Sequence, residues 1–260
     1  MVDYTNRANQ VLDDINAKAG ELKKLWTVPI ADQAGLQEAL ATYREALANG
    51  QEMVDSTDPP GSCVKLDELL RQTVDRGLEL ANVTSPFADY TDSVGPVTAR
   101  ISEVVASLVT LQKDSDIPSG LAGLTEKARK TDADLRSIVP PLLFQGIHQE
   151  ILKFSDAMVK AFEKASKELG VDSGRYQETQ PQDGEEEGTE PGDRVRESQS
   201  KQVQPLLEDI PAAWQSFNEQ LSMLMSVARQ VAGLEAKNAE TENIVGQMVA
   251  EIVKLNKQYK

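Results

Sequence analysis

The chain has 260 residues, of which 40% are hydrophobic and only 5% aromatic, and its 27 basic and 42 acidic side chains leave a formal charge of −15. That length is ample for a buried core, and the shortage of rings suits thin helix–helix seams better than a thick enzyme-like interior. So acidic a surface repels nucleic acid and anionic membranes on average, so no nucleic-acid ligand is expected and a membrane is a disfavoured partner.

The first apolar row is Tyr4, Ala8, Val11, Ile15, Leu22 and Leu25, with the polar Lys18 at one of its positions. Steps of three and four place such a row along one side of an α-helix, predicted over 3–26. The opening MVDYTNRANQVLDD has no basic region followed by an apolar stretch, and the longest uncharged run, Ser137 to Gln149, is too short to span a bilayer. A cytoplasmic protein is therefore expected.

Leu36, Leu40, Tyr43, Leu47 and Val54 form the second row, with Gly50 inside it, and predict a helix over 30–56. Asp58-Pro59-Pro60-Gly61 ends it, because a residue before proline avoids the α region. Cys63 follows. A single cysteine forms no internal disulfide and builds no metal site alone, so a free thiol near a turn is expected.

A helix is predicted over 63–83. Ser85-Pro86 reads as an N-cap followed by proline at the first helical position, opening a short helix over 86–94. Gly95-Pro96 reads as another break, after which Val97, Ile101, Val104, Leu108 and Leu111 carry a helix over 97–113. Ile117-Pro118-Ser119-Gly120 is read as a loop before a helix over 120–138.

Pro140-Pro141 separates that helix from one over 141–169, whose row is Phe144, Ile147, Ile151, Phe154, Met158, Phe162, Ala165 and Leu169. Ile138 to Phe144 is the most apolar window. A buried interhelix turn is the expected reading, with a membrane-inserting tip over 138–147 and a partner-docking turn as alternatives. Gly170 before Val171 has the pattern of a left-handed helix end.

Residues 171–199 carry nine acidic and three basic side chains and almost nothing apolar. Such a segment buries too little surface to offset the entropy of ordering, and disorder is expected. A last helix over about 203–259 follows. Pro205 and Pro211 are tolerable in it only if it begins near 211. It has one stripe of Phe217, Leu221, Leu224, Ala228 and Val231, and a second of Ile244, Met248, Ile252, Leu255 and Tyr259. The polar EAKNAETEN, 235–243, lies between them, and a bend or split is expected there unless the helix projects.

The expected fold is all-α: an elongated antiparallel helical bundle with coiled-coil-like packing and one long C-terminal helix after a disordered acidic loop. The expected organisation is a multi-helix bundle over 1–170, an acidic linker over 171–200, and a helix over 201–260 packing on the bundle or on a partner.

The equipment of catalysis is missing from this reading. There is no phosphate loop, GxSxG, HExxH or paired CxxC. The single histidine, His148, has Gln145 three residues before it where a helical di-metal site needs glutamate. Asp13-Asp14 and Glu185 to Glu187 lack calcium-loop spacing. No enzyme activity, cofactor or metal is therefore expected. Trp26 and Trp214 are read as plugs of helical seams in preference to partner anchors.

The expected function is a non-enzymatic scaffold or adaptor acting through amphipathic helices, on a protein partner or on itself. The candidate interface is Ile244, Met248, Ile252, Leu255 and Tyr259, which the polar interruption sets apart from the main core. The alternative is a membrane-active helical protein, pore-forming or curvature-binding.

Overall fold

The computed structural model describes residues 2–111, 117–169 and 191–258. Among them are seven α-helices and no strand: α1 (Val2–Thr27), α2 (Leu36–Ser56), α3 (Val64–Leu111), α4 (Ile117–Ser137), α5 (Gln145–Glu168), α6 (Pro191–Val231) and α7 (Leu234–Gln258). The fold is all-α and of bundle type. Of the disorder expected over 171–199, the part at 171–190 lies outside the described residues, as does the expected helix end at Gly170, while 191–199 belong to α6.

Contacts divide the chain into two compact units, one of Met1–Gly95 with Met223–Lys260 and the other of Pro96–Ser222. The dividing points fall within α3 and α6. Each of these long helices supplies residues to both units.

The first unit is built from α1, α2, the first part of α3, the last turns of α6, and α7. The β-carbon position of Gly50 on α2 faces Val74 of α3 and Ile15 and Val11 of α1, and that of Gly77 faces Leu47 and Tyr43. Arg71 of α3 donates to the Val54 carbonyl, and Gln37 of α2 donates to Asp89. Numbers falling on α2 as they rise on α3 make that pair antiparallel. Glu79–Lys237, Arg76–Glu240 and Lys65–Glu251 show the same for α3 and α7. The core holds Ala8, Leu12, Ile15, Leu22, Leu40, Tyr43, Leu47, Leu66, Leu70 and Leu80.

The second unit is built from the rest of α3, α4, α5 and the first part of α6. Thr125 meets Ser166, Arg129 meets Glu163 and Arg136 meets Asp156, so α4 and α5 are antiparallel. Arg100 meets Asp134 across α3 and α4. Ile101, Leu108, Leu121, Leu135, Phe144, Ile151 and Phe162 fill its core.

Prolines explain most of the differences from the sequence expectation. The three short 3-10 turns, Ile30–Asp32, Gly61–Cys63 and Leu142–Phe144, each follow a proline, namely Pro29, Pro60 and Pro141. Helix α2 begins only at Leu36, because Gly35 at φ +91° breaks the backbone in the left-handed region open to glycine. Pro86 and Pro96, by contrast, interrupt nothing, and the three helices expected over 63–113 are one. Each proline frees the carbonyl four residues back, on Asn82 and Asp92, and both residues are exposed so that water can replace the lost donor. The buried positions also keep their phase across both prolines through Thr84, Phe87, Thr91, Val94, Thr98 and Ile101. The buried hydroxyls Thr73 and Thr84 donate to the carbonyls of Leu69 and Leu80 at 2.8 and 2.7 Å, so these polar core positions are satisfied within the helix.

Helix α6 begins at Pro191, well before 203, and runs through both Pro205 and Pro211. Proline stands at its first helical position, where a missing N–H costs no helical hydrogen bond. The carbonyl freed by Pro205 is that of the exposed Lys201.

Candidate interaction surface

The expected bend at 235–243 falls two residues earlier. Gly233 at φ +71° ends α6, donating its N–H to the Gln230 carbonyl at 3.0 Å while Ala232 donates to Ala228 at 2.9 Å. A glycine just past the last apolar residue of a row is the sequence signal of this stop, and Val231-Ala232-Gly233 carries it. The polar stretch that follows is the opening of α7. Asn238 and Thr241 point into the first unit. Lys237 reaches Glu79 at 2.7 Å, and Glu242 receives Lys23 at 2.7 Å. Those contacts hold the Glu79 and Glu242 carboxyls below their usual range, through the hydrogen bonds from Lys237 and Lys23.

The candidate interface of α7 lies on that helix's inner side. Met248, Ile252 and Leu255 are buried in the first unit and Ile244 is half-buried. The Thr73 hydroxyl sits 3.9 Å from the Met248 sulfur. Tyr259 lies outside the described residues. Beside these apolar residues Glu251 is buried, with Lys254 at 3.0 Å and Lys65 at 3.4 Å, and the Lys254 hydrogen bond holds its carboxyl low.

A different apolar face is exposed. On the last turns of α6, Met225 and Ala228 are buried, while Met223 is 62%, Val227 54% and Val231 72% exposed, with Leu224 among the exposed residues beside them. These four repeat at steps of three and four, so they form a second stripe on the side away from Met225. The expected stripe of Phe217, Leu221, Leu224, Ala228 and Val231 therefore splits between the two faces. Between Glu219 and Glu235 the only charged residue is Arg229. Its guanidinium turns inward and donates to the Trp26 carbonyl at 2.7 Å, and burial lowers its basicity. The stripe is left bordered by serine, glutamine and alanine.

Both tryptophans are core residues, as the seam reading expects. Trp26 is buried in the first unit, and Trp214 packs in the second with Phe154 and Phe217 at ring distances of 4.9 and 5.7 Å.

The turn between α4 and α5 departs from the expected buried turn. Val139 is 91% and Leu142 83% exposed, while Phe144 and Ile147 beneath them are buried. Pro140 and Pro141 remove two backbone donors and stiffen the segment, so the chain cannot fold the two side chains back under a helix turn. His148 anchors the base of this turn: it is buried and hydrogen-bonds the backbone of Leu135, and desolvation lowers its pKa.

Among the described residues no group of three or more His, Cys, Asp or Glu side chains is arranged to hold a metal ion. Cys63 is a free, buried thiol beside Thr5. Among the described residues one segment, Gly61–Leu111, is long and apolar enough to cross a membrane by length and composition; half of its apolar window is buried inside the protein, as in a core helix. No protein-family model matches the chain, and neither a curated protein nor a solved structure matches it.

Proposed function

We propose that this protein is a non-enzymatic helical scaffold or adaptor that works by helix pairing, with the outer face of α6 between Met223 and Val231 as its docking edge. The observation that carries the reading is a helix with two apolar sides, one in the core and one in water. Exposed apolar side chains scattered singly need no explanation, whereas four in helical register with no charge between them form a patch. A facing helix would bury Met223, Leu224, Val227 and Val231 together, in the manner of an amphipathic helix laid in a groove. Four such side chains contribute several kcal/mol, on the order of 1–2 each, before the cost of association is subtracted. That is the range of a reversible contact. The partner is another protein or a second copy, and the proposed setting is the cytoplasm, without nucleic acid or cofactor.

The test is a photo-crosslinking amino acid at Val227, compared with one at the exposed Glu52 on α2. Discrete protein adducts at 227, and not at 52, are the expected outcome in concentrated pure protein or in source-cell extract. Equal yields at the two positions would remove the docking edge.

A second reading, a membrane-active protein, is favoured by Val139 and Leu142 alone. It predicts dye release from liposomes that Val139→Asp with Leu142→Asp abolishes. No release and no pelleting with any lipid composition would end it.

A further inference from the structure

The second unit carries a groove that the helix-pairing reading does not use. It lies between α3 and α4, has a volume of about 500 Å³, and is lined by Arg100, Glu103, Ser107, Lys127, Lys130 and Thr131 over a floor that includes Val104. Its lining has three cations and one carboxylate, and with Asp134 bound to Arg100 the local charge is +1, in a chain whose total is −15. A volume of this size is in the range of small-molecule sites, about 300–1,000 Å³.

The cations here are held differently from those elsewhere. Most of the structured lysines and arginines on α4 and α5 meet a carboxylate, within a turn or on the facing helix: Arg129 with Glu163, Arg136 with Asp132, Lys153 with Glu150, Lys160 with Asp156. Lys130 has Glu126 four residues before it and Asp134 four residues after it, the spacing at which helical ion pairs form. It pairs with neither. Glu126 lies 4.0 Å from Arg129, and Asp134 binds Arg100 at 2.7 Å. Lys127 and Lys130 thus have no ion-pair partner among the described residues, and both line the groove. Arg100 is fixed on one side by Asp134, while its Nε is buried without a hydrogen-bond partner. Thr131 is buried, and its hydroxyl donates to the Lys127 carbonyl at 2.8 Å, which fixes the turn that carries both lysines.

The geometry points to a binding site for a compact anion carrying two or more phosphate groups. Two lysines one helix turn apart provide point charges for separate phosphoryl groups, and Arg100, positioned by Asp134 across the groove, provides a directed donor. The Ser107 hydroxyl borders the same space. Glu103 opposes the ligand and sets the affinity lower than the cations alone would give. The ligand is either a free polyphosphate compound or the headgroup of a phosphorylated lipid, which share this chemistry.

The probe is inorganic pyrophosphate, titrated into the full chain at low salt and followed by phosphorus NMR and calorimetry. Vesicles of neutral lipid with and without phosphatidylinositol bisphosphate form a second arm. Saturable one-site binding is expected. Lys127→Gln and Lys130→Gln should each weaken it about fivefold, the size of one exposed charge contact, and the double variant should weaken it about twentyfold. Glu103→Gln should tighten it, and Lys164→Gln, on the surface of α5, should leave it unchanged. Binding of pyrophosphate that follows this order assigns a soluble ligand. Binding of the phosphoinositide vesicles alone, lost in the double variant, assigns a headgroup. Failure of both probes, or binding that the double variant retains, overturns the site.

Discussion

Gly77 on α3 lies so close to Tyr43 on α2 that a β-carbon there would sit 2.9 Å from the tyrosine oxygen and closer still to the side chain of Leu47. Here two helices approach at a distance that only glycine permits. Gly77→Ala gains helix propensity of about 1 kcal/mol and loses more to overpacking, about 1–3 kcal/mol. A net loss of up to about 2 kcal/mol by urea unfolding is expected, whereas the same change at Gly123, where no atom stands in the way of a new β-carbon, should be stabilising. A stabilised Gly77→Ala variant would show that α2 and α3 do not pack at this point.

The Tyr43 hydroxyl is buried there without a hydrogen-bond partner, and desolvation alone raises its pKa. An unsatisfied buried hydroxyl costs about 1–3 kcal/mol, while the ring's apolar burial is unaffected by its loss. Tyr43→Phe is therefore expected to raise the melting temperature by a few degrees, equivalent to about 1 kcal/mol. A fall of similar size would mean that water or another group satisfies the oxygen.

Pro96 provides a test of the uninterrupted α3. It is exposed, and the carbonyl of Asp92 behind it lacks a helical donor. If the helix is continuous, Pro96→Ala restores that hydrogen bond and stabilises by about 1–2 kcal/mol after the entropy of a freer unfolded chain is subtracted. If the chain turns at Gly95-Pro96, alanine gives nothing or destabilises.

That position also marks where the sequence stops being readable. The rows Leu36 to Val54 and Val97 to Leu111 name buried residues throughout, since a buried stripe leaves a 3.6-residue period whatever its partner is. Proline is a weaker guide. Pro29, Pro60 and Pro141 precede turns, whereas Pro86, Pro96, Pro205 and Pro211 lie inside helices. The difference lies in whether the freed carbonyl reaches water and whether the apolar phase continues, and the first of these is a three-dimensional fact. The candidate surface was harder still. Leu224, Val227 and Val231 are apolar at core spacing, and nothing local separates them from Met225 and Ala228. Only the packing shows which stripe meets the bundle. The cationic groove joins residues about thirty positions apart, whose proximity no periodicity encodes.

His148 gives the unit containing it a pH dependence. Burial lowers its pKa below the ordinary 6.5, with the hydrogen bond to the Leu135 backbone opposing that shift in part. In the window between 6.5 and the lower native value, the unfolded chain binds a proton that the native chain does not, so stability rises with pH and is lost as pH falls. The carboxyls held low, Glu79, Asp156, Glu242 and Glu251, act in a separate window below their ordinary values of 4.5 and 3.8. Melting curves from pH 7.5 to 5.5 should therefore show a decline that His148→Gln flattens, since glutamine retains a donor and does not titrate. An unchanged slope in that variant would assign the decline to another group.

The two faces of α6 should respond oppositely to the same substitution. Met225 is buried and Val231, six residues along the same helix, is 72% exposed. Aspartate at 225 places an unpaired carboxylate in the core, a cost of several kcal/mol, and the expected result is an aggregated or unfolded chain with no cooperative urea transition. Aspartate at 231 enters water at a position where valine and aspartate have similar helix propensity, so stability should stay within about 0.5 kcal/mol. Its effect should fall on association instead: with Met223→Asp added, adducts from the crosslinker at 227 should disappear, and in the protein without the crosslinker light scattering should give the monomer mass at every concentration. Equal destabilisation by Val231→Asp and Met225→Asp would mean that the outer stripe already packs against the chain's own core, and the docking edge would have to be sought on α7 at Val249 and Val253, which are also exposed.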